Sequence, residues 1–145
     1  MATTTLRPDF APHPRKSLNL TLWALQGVVA AIFGIFGVMM MFQSHDRLAE
    51  QFAWAASVPT WVLRFIATCE LMGAVALIVP GLIHKKVELV RVAGVGLTTL
   101  SLFACIFLLM RRDYDNLLLP FVLGCLSAFI VWGRSNAAPL PSQFA

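Results

Sequence analysis

The chain is poor in charge. Asp, Glu, Lys and Arg make up 12% of its 145 residues, against about 25% in an ordinary water-soluble domain, too few to clothe a soluble globule. It has three cysteines and no CxxC pair, which excludes a disulfide framework and argues against a zinc site. Its three histidines, His13, His45 and His84, all lie outside the apolar segments, so they cannot face one another across helices as haem or copper ligands would. Serine, cysteine and histidine offer no nucleophile and base that the sequence brings together, so no catalytic residue and no metal are expected. A secretory signal is also missing. Pro8, Pro12 and Pro14 precede a first apolar run of 25 residues, longer than the roughly 7–15 of a signal peptide, and no small-residue cleavage site follows.

Long apolar runs are what the chain has instead. Residues 18–42, 61–81, 92–110 and 117–133 are 25, 21, 19 and 17 long, close to the ~20 residues that cross a bilayer as a helix. Hydrophobic residues reach 59% and mean hydropathy is +0.78. The expected fold is all-α, a polytopic up-and-down bundle of four transmembrane helices, with short connections making successive helices antiparallel neighbours. Residues 18–133 form this domain, between an irregular N-terminal tail, 1–17, and a C-terminal tail, 134–145. With four spans both termini share one side. That side carries Arg7, Arg15, Lys16, Lys85, Lys86, Arg91 and Arg134, against Arg47, Arg64, Arg111 and Arg112 opposite, so the positive-inside tendency puts both termini in the cytoplasm. In this setting the net charge of +4 is a topology signal and predicts no nucleic-acid partner. The expected location is the bacterial inner (plasma) membrane, and the N-terminal tail is expected to rest against anionic headgroups.

Small residues mark the faces where helices can approach. Lipid removes the hydrophobic drive for helix association, so Gly27-xxx-Ala31, Ala30-xxx-Gly34 and Gly124-xxx-Ala128 are expected at packed interfaces. Cys69, Cys105 and Cys125 should act there as small hydrophobes. Ser17 or Asn19 is the expected cap of the first helix, and Pro80-Gly81 the stop of the second. Between them, Leu48, Phe52 and Ala55 alternate with Asp46, Arg47, Glu50 and Gln51 at helical spacing, predicting a short interfacial helix. Trp23, Trp54, Trp61 and Trp132 suit the headgroup belt, with burial the alternative for Trp23. Thr98, Thr99 and Ser101 should bond back to their own helix, the alternative being a polar path through the bundle. Pro120 falls in the first turn of the fourth helix, where a missing N–H is tolerated.

Glu70 is the residue that needs a reason. It is the tenth residue of its run, near the membrane midplane, where a charged side chain costs roughly 2.5–3.5 kcal/mol on insertion scales. Ala67, Gly73 and Ala74 lie three and four residues away, so its face is a small-residue face that packs against another helix. Arg64 is six residues off, about 240° around the helix and ~9 Å along it, a poor partner that is expected to snorkel outward. A carboxyl group without a neighbouring cation in hydrocarbon is expected to be neutral and to donate its proton to Gln26, Thr98 or a backbone carbonyl. One acid alone cannot relay protons across a bilayer, which counts against a pump.

The pattern Leu22-Trp23-xx-Gln26 with Phe33 and Gly37, then Arg64-xxxxx-Glu70-xx-Gly73-Ala74 with Leu77 and Pro80, and Ala93-xx-Gly96-Leu97 resembles the DoxX-like family of four-helix membrane proteins over residues 22–113. The chain departs from it at Met40, where the family often has lysine, and at Leu108 and Leu109, where a histidine is common. The resemblance implies an up-and-down four-helix bundle. Family members include a subunit associated with thiosulfate:quinone oxidoreduction and, in animals, an assembly factor for ligand-gated channels.

Two functions follow as expectations. The preferred one is a non-catalytic accessory or assembly subunit, without a cofactor, packing against other membrane protein subunits or a second copy in the lipid bilayer. The alternative is a redox-associated protein that binds a quinone or similar lipophilic molecule near Glu70, with Gln26 and Thr98 as hydrogen-bond partners and Phe65 and Phe103 lining the pocket. Arg64, Trp23 and Trp61 are expected to serve topology or interfaces.

Overall fold

Four long helices form the body of the protein. The computed structural model describes residues 16–83 and 88–137, and among them there is no strand. Helix α1 spans Lys16–Phe42, α2 His45–Gln51, α3 Thr60–Ile83, α4 Glu88–Met110 and α5 Leu118–Trp132. A single 3-10 turn, Ala55–Ser57, follows α2, and a wider π turn, Gly133–Ala137, continues α5. The N-terminal tail, the water-boundary residues His84, Lys85 and Lys86, and the end of the C-terminal tail lie outside the described residues.

Each long helix packs mainly on its neighbour in the chain. Helix α1 lies against α3, α3 against α4 and α4 against α5, and a thinner contact of α5 with α1 closes the ring. Each helix buries only a narrow stripe, at most 33% of its most apolar stretch. Large apolar side chains such as Leu20, Ile35, Met72, Val92, Leu102 and Phe121 face outward, a surface that only a hydrocarbon solvent leaves without penalty. The protein spans a membrane, and its fold is an all-α four-helix bundle.

Backbones approach where glycines permit it. A Cβ on Gly73 would stand 2.6 Å from Leu97, one on Gly94 2.5 Å from Val131, and one on Gly37 2.8 Å from Leu71. These glycines are the interfaces α3–α4, α4–α5 and α1–α3. The expected α1 interface is only partly realised. Ala31 is exposed and a Cβ on Gly27 or Gly34 would meet nothing within 4 Å, because one helix cannot turn the Gly37 face and the Gly27 face to the same neighbour. Gly124 does face α4, at Ser101, but Ala128 points out. Cys69 and Cys105 are half-buried and Cys125 is exposed, so the cysteines are not core fillers.

Several helix ends differ from expectation. Helix α1 is already formed at Lys16, so neither Ser17 nor Asn19 caps it. Helix α3 runs through Pro80 to Ile83. Proline there removes the donor for one carbonyl of the preceding turn, a loss confined to the last turn and a half. Gln26 Nε2 meanwhile donates to the adjacent Leu77 carbonyl at 3.0 Å. The interfacial helix exists as α2: Ser44 caps it, Leu48 is buried, and Phe52 and Trp54 pack over Met40, Leu63 and Ala67.

Candidate functional site

Arginine in the last turn of the bundle organises one end of the interior. Leu123, Ser127, Ile130 and Arg134 recur at four, three and four residues, so they share the inward stripe of α5. The π turn carries Arg134 back over the bundle, and it is 3% exposed. Its Nε and Nη2 donate to Gln26 Oε1 at 3.0 and 2.6 Å, and Nη1 donates to Asn19 Oδ1 at 2.6 Å. The guanidinium lies 5.4 Å from the centroid of Trp23, within cation–π range. Gly133 makes this approach possible, since a Cβ there would stand 2.6 Å from Leu22. Gln26 is fully buried and joins α1, α3 and the end of α5 through Leu77 O and Arg134.

Glu70 lies deeper. It is 7% exposed, on the same stripe of α3 as Leu63, Ala67, Ala74 and Leu77, so it points inward as its small-residue face predicts. Its Oε2 has no hydrogen-bond partner among the described residues, and the same holds for the hydroxyls of Ser101 and Ser127. The partners expected for it are engaged elsewhere. Gln26 serves Leu77 and Arg134, and Thr98 Oγ1 donates to Gly94 O at 2.7 Å. Phe65 and Phe103 are 65% and 66% exposed on the outer surface, so the structure does not gather these residues around Glu70.

Arg64 does not snorkel outward. Its Nη1 donates to Met40 O and its Nη2 to Gln43 O at 2.8 Å. The last carbonyls of α1 lack donors within their own helix, and Arg64, one turn into the antiparallel α3, is level with them. Trp61 is 73% exposed at the start of α3 and Trp132 53% exposed at the end of α5, positions that suit the headgroup belt. Trp23 is half-buried beneath Arg134, between the two readings its sequence position allows.

Hydropathy hid the polar cluster around Arg134. Arg134 falls just beyond the fourth apolar run, where it reads as a tail charge. Asn19 reads as a cap. The available signal was the periodicity that continues from Leu123 to Arg134, together with Gly133 just before the arginine.

These features define an integral membrane protein with an up-and-down four-helix bundle and polar side chains on part of its axis. Residues 24–130 match the model of the DoxX-like family. The match covers more than half of the chain, and the protein belongs to that family. No curated protein and no solved structure matches it.

Proposed function

We propose that this protein is a non-catalytic accessory or assembly subunit of a membrane complex, docking through the outer face of α1 onto a transmembrane helix of another subunit. One observation carries the reading. Ala24, Gly27 and Ala31 are exposed on one face, and a Cβ at Gly27 or Gly34 would meet nothing within 4 Å. Small residues unused by the protein's own packing are what a neighbouring helix needs to come close in lipid. Both termini are cytoplasmic in this proposal. Setting aside the inward-turned Arg134 and Arg64, the termini side keeps Arg7, Arg15, Lys16, Lys85, Lys86 and Arg91, against Arg47, Arg111 and Arg112 opposite.

Extraction of the tagged chain in mild detergent should recover a stoichiometric membrane partner. The double variant Gly27→Leu, Ala31→Leu should lose that partner while retaining its own thermal stability. Recovery of an inert monomer or homodimer, or a partner indifferent to the substitutions, would overturn the reading.

A second reading, binding of a quinone or similar lipophilic molecule near Glu70, draws support from the unpartnered Oε2. A quinol hydroxyl donating to that oxygen would satisfy it. Quinone affinity unchanged in Glu70→Ala would end this alternative.

A further inference from the structure

The polar side chains of the interior follow one another in height along the bundle. Packing fixes their heights: Gly73 lies against Leu97, and Gly124 against Ser101. Glu70 is three residues before Gly73, and Ser101 four after Leu97. Because α3 and α4 are antiparallel, Glu70 and Ser101 share one level. Ser127 is three residues beyond Gly124 on α5, ~4.5 Å nearer the end that carries the termini. Gln26 binds Leu77 O, seven residues from Glu70 along α3, about 10.5 Å, so Ser127 stands between the two levels. Arg134 and Asn19 close the column above Gln26.

The serines behave unlike the other hydroxyls of these helices. Thr21, Thr68, Thr98, Thr99 and Ser135 each donate to the carbonyl four residues earlier, the usual solution in membrane helices. Ser101 is 3% exposed and Ser127 fully buried, yet neither hydroxyl is bonded among the described residues, and the same holds for Glu70 Oε2. An unsatisfied buried polar group costs about 1–3 kcal/mol. Three of them on three helices, within about one helical turn in height, are what a hydrogen-bonding guest satisfies. The step between levels is about 5 Å, close to the span of two hydrogen bonds through one oxygen, each ~2.8 Å. That matches water better than a bulky lipophile.

We propose that the half of the bundle axis between Arg134 and Glu70 is a water-binding half-channel. Water enters beside Asn19, Gln26 and Arg134, is held by Ser127 and Ser101, and ends at Glu70. Beyond Glu70 the buried residues Ala67, Leu63, Met40 and Leu108 are apolar and separate it from the next unpartnered oxygen, Gln43 Oε1 at the loop end, so in this proposal Glu70 meets water from the termini side. The proposal rests on neither reading of function above.

Water-edited solid-state NMR on the intact chain in liposomes tests it. Polarisation should pass from water to the Ser127, Ser101 and Glu70 side chains about as fast as to Asn19, while Leu63 and Leu108 stay dry. Ser127→Val should reduce transfer to Ser101 and Glu70 to the level of Leu63 and leave Asn19 wet. Dry Ser101 and Glu70 in the unmodified protein would overturn the proposal outright, a result that needs no variant to fold. Transfer to Glu70 that survives both Ser127→Val and Gln26→Leu would overturn the route.

Discussion

Both halves of the bundle axis have an apolar cluster, but the termini half adds a buried, hydrogen-bonded polar one. Toward the termini, Arg134, Gln26 and Asn19 tie three helix segments together through oriented hydrogen bonds. Toward the loops, Met40, Leu63 and Ala67 pack with Leu48 and Ala55 from the connecting segment, and the Phe36 and Phe52 rings meet at a tilt of 48°, 5.9 Å between centroids. Val29, Ala74, Leu77, Leu97 and Ile130 pack in the termini half as well, so there the polar cluster adds direction to shape, while Arg64 gives the loop half its own oriented bonds. In lipid this matters, because apolar contact inside the bundle gains little over contact with acyl chains, whereas a buried hydrogen bond has no substitute there. Glycine contacts such as Gly37 on Leu71 set the register between helices, and the polar cluster locks the register that results.

The largest effect should come from removing the centre of the polar half. Arg134→Ala strands Gln26 Oε1 and Asn19 Oδ1 and frees the end of α5 from α1. Bonds to a charged donor are worth about 1.5–3 kcal/mol each in water-soluble proteins and less between membrane helices, roughly 0.6 on average, so a total loss of about 2–4 kcal/mol is expected. Unfolding by titrated denaturing detergent in mixed micelles measures it. Arg134→Lys keeps the charge but cannot reach Gln26 through two nitrogens, so its loss should be intermediate. A wild-type midpoint for Arg134→Ala would mean that direction is not what holds this half.

Glycine substitutions compare the inner and outer surfaces of the same helices. Gly94→Val places a side chain where even a Cβ would stand 2.5 Å from Val131, and overpacking of that kind costs about 1–3 kcal/mol. Gly27→Ala meets nothing and gains helix propensity, so stability should hold or rise by up to about 1 kcal/mol. Thermal unfolding in one detergent measures both. Equal losses at the two sites would place Gly27 in a packed interface of the isolated protein.

Glu70 sharpens the contrast by its sign. A buried polar atom without a hydrogen-bond partner, such as Glu70 Oε2, costs about 1–3 kcal/mol. Glu70→Met, which extends the apolar stripe of Ala67 and Leu63, should therefore stabilise the fold by about 1 kcal/mol, read as a raised unfolding midpoint. A gain would mean that the carboxyl is kept at the expense of stability. A loss above about 2 kcal/mol would instead make Glu70 a structural clasp.

Much of this was legible in the sequence. The runs 18–42, 61–81, 92–110 and 117–133 anticipate the four long helices within a few residues, because a bilayer demands length and apolarity that no other segment supplies. The inward Glu70 could be read from Ala67, Gly73 and Ala74. Which hydrogen bonds form inside could not be read. They depend on register between helices: Gln26 meets Leu77 rather than Glu70 because Leu71 and Ala67 lie at Gly37, and that offset of two turns is written in packing. Arg64 was misplaced for the same reason, since its partners Met40 and Gln43 are on another helix.

The smallest expected effect lies in the turn that joins α4 to α5 at the apolar end. Asp113 N–H donates to Leu108 O and Arg112 N–H to Leu109 O, both at 3.0 Å, the paired bonds that close a helix over a left-handed residue. That residue is Arg112, with φ 58°. Glycine is the usual occupant because it has no Cβ to clash there. Arg112→Gly should relieve about 1 kcal/mol of backbone strain and return part of it through the greater freedom of glycine in the unfolded chain. A net gain of about 0.5 kcal/mol is expected, read as a small rise in thermal midpoint. A clear loss would show that the arginine side chain contributes more than its backbone costs.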